Sequence, residues 1–463
     1  MHLTAGEIAD ITRGELFGSR EINVILPPSF DSRIIAPGSL FLALKGEAVD
    51  GHDFARSAIE NGAVLVLATR RLDYPCVVVE DVLEALGAIA KHVRSKLSGL
   101  IVIGITGSQG KTTTKDLLAS ILRLTGETVA TEKSFNNDLG LPITLLRCGP
   151  STKYCVVEMG ARHRGDIAQL CEIARPNIGV VLVVGQAHLS EFGSREAIAS
   201  AKSELVHNLI EGGVAILGMY DEFTPHMTQS LSVRTVTFGE RHDADVRATD
   251  VDIREGRAQF DLVTKDGRSS VALRLVGEHQ VANALAAAAV CTELNVPIDL
   301  IAVGLSTAEI SSKWRMEIHE ERNLLLINDS YNANPDSMAG ALKTLARFAQ
   351  ERGGQSWAFL GKMHELGPSS DTQHSFIGKT AEELGIDHLV LIKSPEYAHE
   401  LSPSSSTSVH PFDSQEEAIA LWEHFSPGDV VLVKASRAEK LEVLALELLK
   451  KWKSDDGKVG DLE

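Results

Sequence analysis

The segment GITGSQGKTTTKDLL, residues 104–118, restricts the fold of this chain more than any other feature of the sequence. An apolar run, IVIGIT, leads into a glycine-containing turn that is followed by Lys, Thr and a helical pattern. Gly107 and Gly110 allow backbone N–H groups to approach phosphate oxygens, and the start of a helix favours an anion. A loop of this kind connects a buried strand to a helix, and it therefore predicts a parallel α/β sheet.

The same segment predicts a nucleotide site. Lys111 can reach the β- and γ-phosphates of a nucleotide, and the hydroxyl of Thr112 can hold Mg²⁺. The strict motif GxxxxGK[ST] requires a Gly where this chain has Ile105, so the segment is a variant of the P-loop. The structural alternative is an ordinary strand–turn–helix that happens to contain a lysine. We expect phosphate contacts from the whole loop: Gly107, Ser108, Gln109, Gly110, Lys111, Thr112 and Thr113.

Three further side chains are candidates for the metal site and for catalysis. Glu158 ends the apolar run YCVVE, and His188 follows the next one, IGVVLVV. Because the carboxyl ends of parallel strands meet at one edge of a sheet, both are expected beside the P-loop. Lys202 lies on a predicted helix, AIASAKSEL, where burial would lower the pKa of its amine. Each residue also has a purely structural alternative. Glu158 could be a solvated acid at a strand end, His188 an exposed histidine, and Lys202 a lysine that extends its amine to solvent.

The alternation of patterns predicts three units, residues 1–97, 98–312 and 313–463. The first has short β-like runs (SLFLAL, AVLVLA, CVVVE). The second alternates strands and helices and has a β-rich insertion over 231–275. The third is a second doubly wound α/β unit, with a helix predicted at EEAIALWEHF and a surface loop at 402–411.

Composition excludes several functional classes. The formal net charge of −18 argues against a general nucleic-acid binder and fits a monomer. The longest apolar runs are far too short to span a membrane, and the N-terminal residues do not resemble a signal peptide. The five cysteines are scattered without CxxC pairs, which indicates reduced thiols. We therefore expect a cytoplasmic protein.

Other segments, together with the P-loop, resemble those of the Mur ligase family, whose members build the bacterial peptidoglycan precursor. They run through all three units: FDSRIIAPGSLFLALKGEAVDGHDF, SFNNDLGLP, GEHQVANALAA, NDSYNANPDSM, LGKMHELG and VLVKASR. The resemblance implies three α/β domains. These are a small uridine-binding domain, a central P-loop ATPase domain with a parallel sheet, and a Rossmann-like C-terminal domain.

The resemblance also implies roles for individual residues. Glu158, His188 and Thr112 would hold Mg²⁺, with two ions expected, and Lys202 would be carbamylated to become an anionic ligand. ATP would contact Asn283 near its base and Asp329 at its ribose, and domain closure would bring Arg315 to the nucleotide. Lys111, His188, Lys202 and Arg315 form the expected catalytic set. Substrate contacts are expected from Ser32, Arg33, Asn136, Asn137, Asn332 and Asn334.

The activity that the resemblance implies is ATP-dependent joining of a carboxylate to an amine through an acyl phosphate. NDSYNANPDSM resembles the segment of the family members that add D-alanyl-D-alanine to a UDP-N-acetylmuramoyl tripeptide. One alternative is the sister ligase that adds the third, diamino acid, but its D-x-P-[NR] motif is absent from the sequence. Others are a folylpolyglutamate synthase, which lacks the uridine module, and a non-catalytic scaffold, which would not require Lys111, Glu158 and Lys202.

This chain departs from the family's motifs at five positions. Lys362 and His364 replace an Asp and a Leu, and Ser203 replaces a Gly next to Lys202. Gln280 replaces an Asn, and Trp314 stands where Gly is usual before Arg315. None of these changes falls on the P-loop, Glu158, His188 or Lys202.

Overall fold

The computed structural model describes residues 1–46, 49–132, 134–186, 189–309 and 312–454. In this part of the chain the strands form three large sheets, one for each predicted unit, and a short two-stranded pair. The predicted boundaries at 97/98 and 312/313 fall in connections between these sheets. No helix in these ranges has the length and apolar character that a membrane span requires.

The N-terminal unit contains a five-stranded sheet in the order β2-β7-β6-β5-β4 and a β1–β3 pair. Pairing is parallel from β7 to β4, and β2 is antiparallel to β7. The strands are β1 (Leu3–Thr4), β2 (Glu15–Phe17), β3 (Asn23–Val24), β4 (Leu26–Ser29), β5 (Ser39–Leu42), β6 (Leu65–Ala68) and β7 (Cys76–Val78). The helices are α1 (Ala5–Thr12), α2 (Ala55–Glu60) and α3 (Val82–Lys96).

The central unit contains a nine-stranded sheet in the order β16-β15-β14-β13-β12-β11-β8-β10-β9. Its strands are β8 (Ile101–Thr106), β9 (Thr128–Ala130), β10 (Tyr154–Glu158), β11 (Ile178–Val181), β12 (Val214–Gly218), β13 (Arg234–Gly239), β14 (Val246–Arg254), β15 (Arg257–Thr264) and β16 (Gly267–Val276). Its helices are α4 (Lys111–Leu122), α5 (Gly140–Leu146), α6 (Asp166–Ala174), α7 (Leu189–Phe192), α8 (Arg195–His207), α9 (Gln280–Glu293) and α10 (Ile298–Thr307).

Strands β8 to β13 pair in parallel, and β14 to β16 form an antiparallel extension. Strands β8, β10, β11 and β12 are buried on both faces, which explains their nearly continuous apolar sequences. Register places Glu158 beside Ile105, and Val181 beside Thr106. The P-loop, which follows β8, therefore lies between the ends of β10 and β11, as the sequence predicted.

The C-terminal unit contains a six-stranded sheet in the order β17-β18-β22-β19-β20-β21, parallel except for β17. The strands are β17 (Glu317–Glu321), β18 (Leu324–Asn328), β19 (Ser356–Leu360), β20 (His388–Ile392), β21 (Ser408–Phe412) and β22 (Val430–Lys434). The helices are α11 (Pro335–Arg352), α12 (Ser370–Glu383), α13 (Gln415–Ala418) and α14 (Glu442–Ser454).

Two local predictions in this unit were only partly right. The surface loop predicted over 402–411 ends in strand β21, whose backbone pairs with β20. The helix predicted at EEAIALWEHF is a single turn, α13, followed by a 3₁₀ helix over Ile419–His424. In the first case the pairing with β20 outweighs the local pattern of the segment.

The apolar cores cross the boundary between the first two units. Leu86 and Ile89 of α3 share one buried cluster with Val102 of β8 and Leu170 of α6. The C-terminal sheet has a separate buried cluster on each face. The N-terminal and central units are thus packed together through α3. The C-terminal unit contacts the central one through Val276 of β16, which belongs to one of these two clusters, and through polar contacts described below.

Candidate functional site

A large cavity lies at the carboxyl ends of the central strands and faces the C-terminal unit. Its volume is ≈ 1950 Å³. It brings together fifteen of the predicted site residues: Ser108, Gln109, Gly110, Lys111, Thr112, Thr113, Asn136, Asn137, Glu158, Lys202, Asn283, Arg315, Asp329, Asn332 and Asn334. Gly107 lies directly behind the loop, where its carbonyl accepts a hydrogen bond from Lys111. His188 lies outside the described residues.

The P-loop has the backbone shape that the sequence predicted. Gly110, at the start of α4, has φ +84°, and a Cβ there would lie 2.3 Å from Oδ1 of Asn283. The backbone conformation at this position favours glycine, and a side chain would also displace the end of the Asn283 side chain. The Lys111 Nζ donates to the Gly107 carbonyl at 2.6 Å. Burial lowers the pKa of Lys111, and Arg315 lowers it further.

Glu158 is fully buried at the end of β10, directly beside the start of α4. Its Oε2 accepts a hydrogen bond from the Thr112 hydroxyl at 3.2 Å. Its Oε1 is buried without a hydrogen-bond partner and lies 3.9 Å from Nζ of Lys115. Burial raises the pKa of Glu158, and the nearby cations Lys115, Arg315 and Lys111 oppose that rise.

The surroundings of Glu158 suit a hard cation. A buried carboxylate oxygen without a hydrogen-bond partner, next to a hydroxyl, offers the oxygen ligands that Mg²⁺ prefers. Within the described ranges, no three His, Cys, Asp or Glu side chains are grouped as metal ligands. This is consistent with the usual Mg²⁺ site, in which one or two carboxylates are completed by phosphate oxygens and water.

Lys202 lies on α8, and its side chain is buried in the wall of the cavity. Burial, with a contribution from Lys111, lowers the pKa of Lys202 to about 7. The helix is anchored two residues later, where Glu204 accepts hydrogen bonds from the backbone N–H groups of Gly165 and Ala168. The neighbouring departure, Ser203, only donates to the Ser200 carbonyl within the helix, so it leaves Lys202 undisturbed.

The C-terminal unit brings both of its predicted charged site residues, Asp329 and Arg315, to the cavity. Asp329 forms a 2.5 Å ion pair with the buried Lys434, whose Nζ also donates to the Asn332 carbonyl. Arg315 donates from Nη2 to the Ser134 hydroxyl at 3.1 Å, and its guanidinium lies 4.0 Å from the centre of the Tyr331 ring. Arg315 is therefore fixed between the central and C-terminal units.

Some of the asparagine side chains predicted to contact substrate already form hydrogen bonds within the protein. Oδ1 of Asn334 accepts a hydrogen bond from the Ser337 N–H and caps α11, so only its Nδ2 is left for a ligand. Oδ1 of Asn137 accepts from the Gly140 N–H. Asn136 packs against Gly160, and Asn332 is exposed at the cavity wall.

Ser32 and Arg33 do not line this cavity. Arg33 is exposed and forms an ion pair with Asp31 at 2.7 Å, while the carbonyl of the buried Ser32 accepts from Asn61. The neighbouring Phe30 contacts Phe135, with ring centres 6.1 Å apart. The segment around Ser32, which resembles a uridine-binding module, therefore contacts the segment around Asn136 through an aromatic pair but does not reach the phosphate loop.

Sequence reasoning missed several residues of the site. Ser134, Lys115 and Lys434 each contact a predicted site residue, and Asp336 accepts a hydrogen bond from the Gln186 N–H across the cavity. Lys434 lies in the segment VLVKASR, which offered a signal for it. The other three also lie in segments quoted above: Lys115 in 104–118, Ser134 in SFNNDLGLP and Asp336 in NDSYNANPDSM. Their contacts could not be predicted from these segments, because the partners are distant in sequence.

Comparison with known proteins decides the family. Residues 105–291 match the Mur ligase middle domain, 314–437 the Mur ligase glutamate ligase domain, and 29–94 the Mur ligase family catalytic domain. The UDP-N-acetylmuramoyl-tripeptide–D-alanyl-D-alanine ligase of Mycobacterium tuberculosis is 40% identical, over 96% of this chain and 95% of its own. This chain belongs to the Mur ligase family.

Solved structures of this family agree with the fold. MurF from Acinetobacter baumannii superimposes with a TM-score of 0.88 at 34% identity, over 97% of this chain and 99% of its own. MurF ligase from Thermotoga maritima, solved in complex with ADP, has a TM-score of 0.79 at 30% identity, over 92% of this chain and 99% of its own. The predicted three-domain α/β Mur ligase architecture is therefore confirmed, whereas the roles of the site residues stay predictions.

Proposed function

We propose that this chain is an ATP-dependent, ADP-forming ligase that adds D-alanyl-D-alanine to a UDP-N-acetylmuramoyl tripeptide in peptidoglycan precursor synthesis. The observation that carries the proposal is the cavity. It joins a phosphate loop and a buried carboxylate to the polar end of α11 in the C-terminal unit. The similarity to ligases named for this reaction extends over the whole chain and supports the choice of substrates.

ATP would bind on the P-loop. The backbone N–H groups at the start of α4 and the Lys111 ammonium would face the phosphates, and Asn283, which lines the cavity beside Gly110, would lie near the nucleotide base. Asp329, held by Lys434, would accept hydrogen bonds from the ribose hydroxyls. The ADP in the related Thermotoga maritima structure supports a nucleotide in this family fold.

Thr112 and Glu158 would hold Mg²⁺, and His188 is proposed for a second ion. When bound, Mg²⁺ supplies positive charge that stabilises the phosphate oxygens during transfer. Lys202 is proposed to be carbamylated. Its neutral amine forms an N–C bond with CO₂, one C–O π-bond opens, and the nitrogen loses a proton to water. The product is an anionic oxygen ligand in place of a cation.

In the first step, an oxygen of the peptide carboxylate forms a bond to the γ-phosphorus, and the bond from that phosphorus to the bridging oxygen breaks to release ADP. Lys111 and Arg315 stabilise the charge that develops on the transferred group. In the second step, the amine of D-alanyl-D-alanine attacks the acyl carbon, phosphate leaves, and the nitrogen loses a proton.

The acyl phosphate must be protected from water, and contacts between the two units provide that protection. Asp336 accepts from the Gln186 N–H at 3.1 Å, and the Ser190 hydroxyl donates to the Glu365 carbonyl at 2.7 Å. These contacts hold the C-terminal unit against the central one, and the cavity lies between the two units.

The dipeptide would bind at the start of α11, where Asn332, the free amide of Asn334 and Ser337 line the cavity. A dipeptide offers an amine, an amide and a carboxylate to these groups. A shorter amine would leave some of these polar groups without partners, so we expect the site to discriminate against it. We further propose that the chain acts as a monomer in the cytoplasm, which its charge of −18 supports.

The test is ADP release with four amines in parallel: D-alanyl-D-alanine, D-alanine, L-lysine and meso-diaminopimelate. We expect D-alanyl-D-alanine with the UDP-tripeptide to give the fastest turnover. Lys111→Ala serves as the inactive control. Faster turnover with a diamino acid and a UDP-dipeptide would contradict the assignment and indicate the sister ligase.

A further inference from the structure

A row of three hydrogen bonds connects Glu158 to the C-terminal unit. The Thr112 hydroxyl donates to Oε2 of Glu158 at 3.2 Å. The Thr112 and Ser134 hydroxyls are 3.1 Å apart, and Nη2 of Arg315 donates to the Ser134 hydroxyl at 3.1 Å. In this row, Ser134 therefore links Thr112, a proposed metal ligand in the central unit, to Arg315 in the C-terminal unit.

The two ends of the row determine the direction of its hydrogen bonds. A guanidinium can only donate and a carboxylate can only accept. Ser134 therefore accepts from Arg315 and can donate its own proton to Thr112, whose proton is directed at Glu158. In this arrangement each hydroxyl donates once and accepts once.

A cation beside Glu158 requires a different arrangement of protons. Thr112 can present a lone pair to a cation only if its own proton points away from the positive charge. Within the described residues, the Ser134 oxygen is the hydrogen-bonded neighbour of Thr112 that can accept this proton besides Glu158 itself. Ser134 would then accept from Thr112 and Arg315 together, using both of its lone pairs.

The other side of Glu158 offers no substitute for Ser134. Its Oε1 faces Lys115, which is ion-paired with Asp116 at 3.0 Å and donates to the Thr131 carbonyl. An ammonium has no lone pair with which to accept a proton. Reorientation of the Thr112 hydroxyl therefore depends on the Ser134 side.

We propose that Ser134 is a positioning residue that orients the Thr112 hydroxyl for Mg²⁺ and holds Arg315 at the same time. Metal binding in the central unit and the position of the C-terminal unit are thereby coupled through one hydroxyl. This inference rests on the proposed ATP-dependent function, and it assigns a role to a residue that the family motifs left without one.

The experiment measures ADP affinity by calorimetry, without peptide substrates, in EDTA and at increasing Mg²⁺. Three variants are compared with the unmodified chain: Ser134→Ala, Ser134→Thr, which keeps a hydroxyl, and Ser369→Ala as the control. Ser369 is also half-buried and donates one hydrogen bond, to the Leu366 carbonyl at 2.7 Å, outside the cavity. Circular dichroism verifies that each variant folds.

We expect Ser134→Ala to lose about tenfold of the Mg²⁺-dependent gain in ADP affinity, since one hydrogen bond contributes on the order of 1.4 kcal/mol. Its affinity for ADP in EDTA should be unchanged. Ser134→Thr and Ser369→Ala should retain the full gain.

Three results would overturn the proposal. The first is an unchanged Mg²⁺ dependence in Ser134→Ala, and the second is an equal loss of affinity in EDTA, which would indicate a purely structural role. The third is a folded Ser134→Thr variant that behaves like Ser134→Ala, because the hydroxyl would then not be responsible. If the unmodified chain itself showed no Mg²⁺-dependent ADP binding, the proposed function would fail instead.

Discussion

The low pKa of Lys202 gives the proposed carbamylation a quantitative basis. Burial, with Lys111 nearby, lowers the pKa of this amine from 10.5 to about 7. At pH 7 about half of the Lys202 side chains are then neutral, against about 0.03% for an ordinary lysine, a gain of roughly a thousandfold. Only the neutral amine reacts with CO₂, so the reaction should be fast at neutral pH.

The sign of the pH dependence follows from the same shift. Lowering the pH through about 7 protonates Lys202 and should slow carbamylation, whereas raising the pH above that value should add little neutral amine. An ordinary lysine would continue to gain neutral amine up to pH 10.5. The stability of the unmodified chain should rise between about pH 7 and 10.5, because the unfolded state then binds the extra proton.

The assay uses ¹³C-labelled bicarbonate and observes the carbamate carbon by NMR, with ADP release measured in parallel after rigorous removal of CO₂. We expect a carbamate signal and a loss of at least tenfold in turnover without bicarbonate, as a metal ligand is missing. Lys202→Ala should abolish the signal. Lys450→Ala is the control, since that lysine is exposed.

Two outcomes would refute this reasoning. A carbamate signal that persists in Lys202→Ala would assign the modification to another amine. Turnover that is unchanged without bicarbonate would show that an unmodified Lys202 is sufficient.

Three further predictions concern residues around the cavity. Glu158→Gln should raise the Mg²⁺ requirement and lower kcat/KM by about a hundredfold. At pH 7.5 its melting temperature should be equal or higher, because the raised pKa of Glu158 costs stability increasingly above pH 4.5; a large loss of stability would contradict this. Lys434→Met should lower the free energy of unfolding by about 3–5 kcal/mol in urea titration, because it leaves Asp329 unpaired; a change below about 1 kcal/mol would show that the ion pair is not stabilising. Trp314 has φ +60°, a left-handed conformation that glycine adopts easily and valine does not. Trp314→Gly should therefore change the free energy of unfolding by less than about 1 kcal/mol, while Trp314→Val should be clearly less stable. Equal stability of the two variants would show that this backbone conformation does not determine the effect.

Much of the fold could be predicted from the sequence because the central strands carry their own signal. IVIGIT and YCVVE form β8 and β10, which are buried on both faces. Their continuous apolar sequences predict strands even when the neighbouring strands are unknown. Strand β21 could not be predicted in this way. Its sequence, SVHPF, contains a proline and lies at the edge of the sheet, where pairing with β20 alone makes it a strand.

The departure at Trp314 shows a similar limit. The resemblance to the family indicated that Gly is usual at this position but not why. The structure supplies the reason, a left-handed backbone conformation that glycine adopts easily. In this chain the conformation is supported by a hydrogen bond from the Trp314 N–H to Glu317 and by Arg437, which lies 4.4 Å from the centre of the indole ring.

The sequence by itself determined the P-loop, the parallel sheet around it and the candidate Glu158, because each belongs to a short segment whose pattern is local. Lys202 became a probable site residue only through the resemblance to the family. Only the tertiary structure decided the environment of these side chains. The pKa of Lys202 depends on burial by distant segments, and the partners of Glu158 come from α4. The Asp329–Lys434 pair joins residues 105 positions apart, and Ser134 meets Arg315 across 181. Charge and hydrogen bonding act through space, so their consequences are set only when the chain has folded.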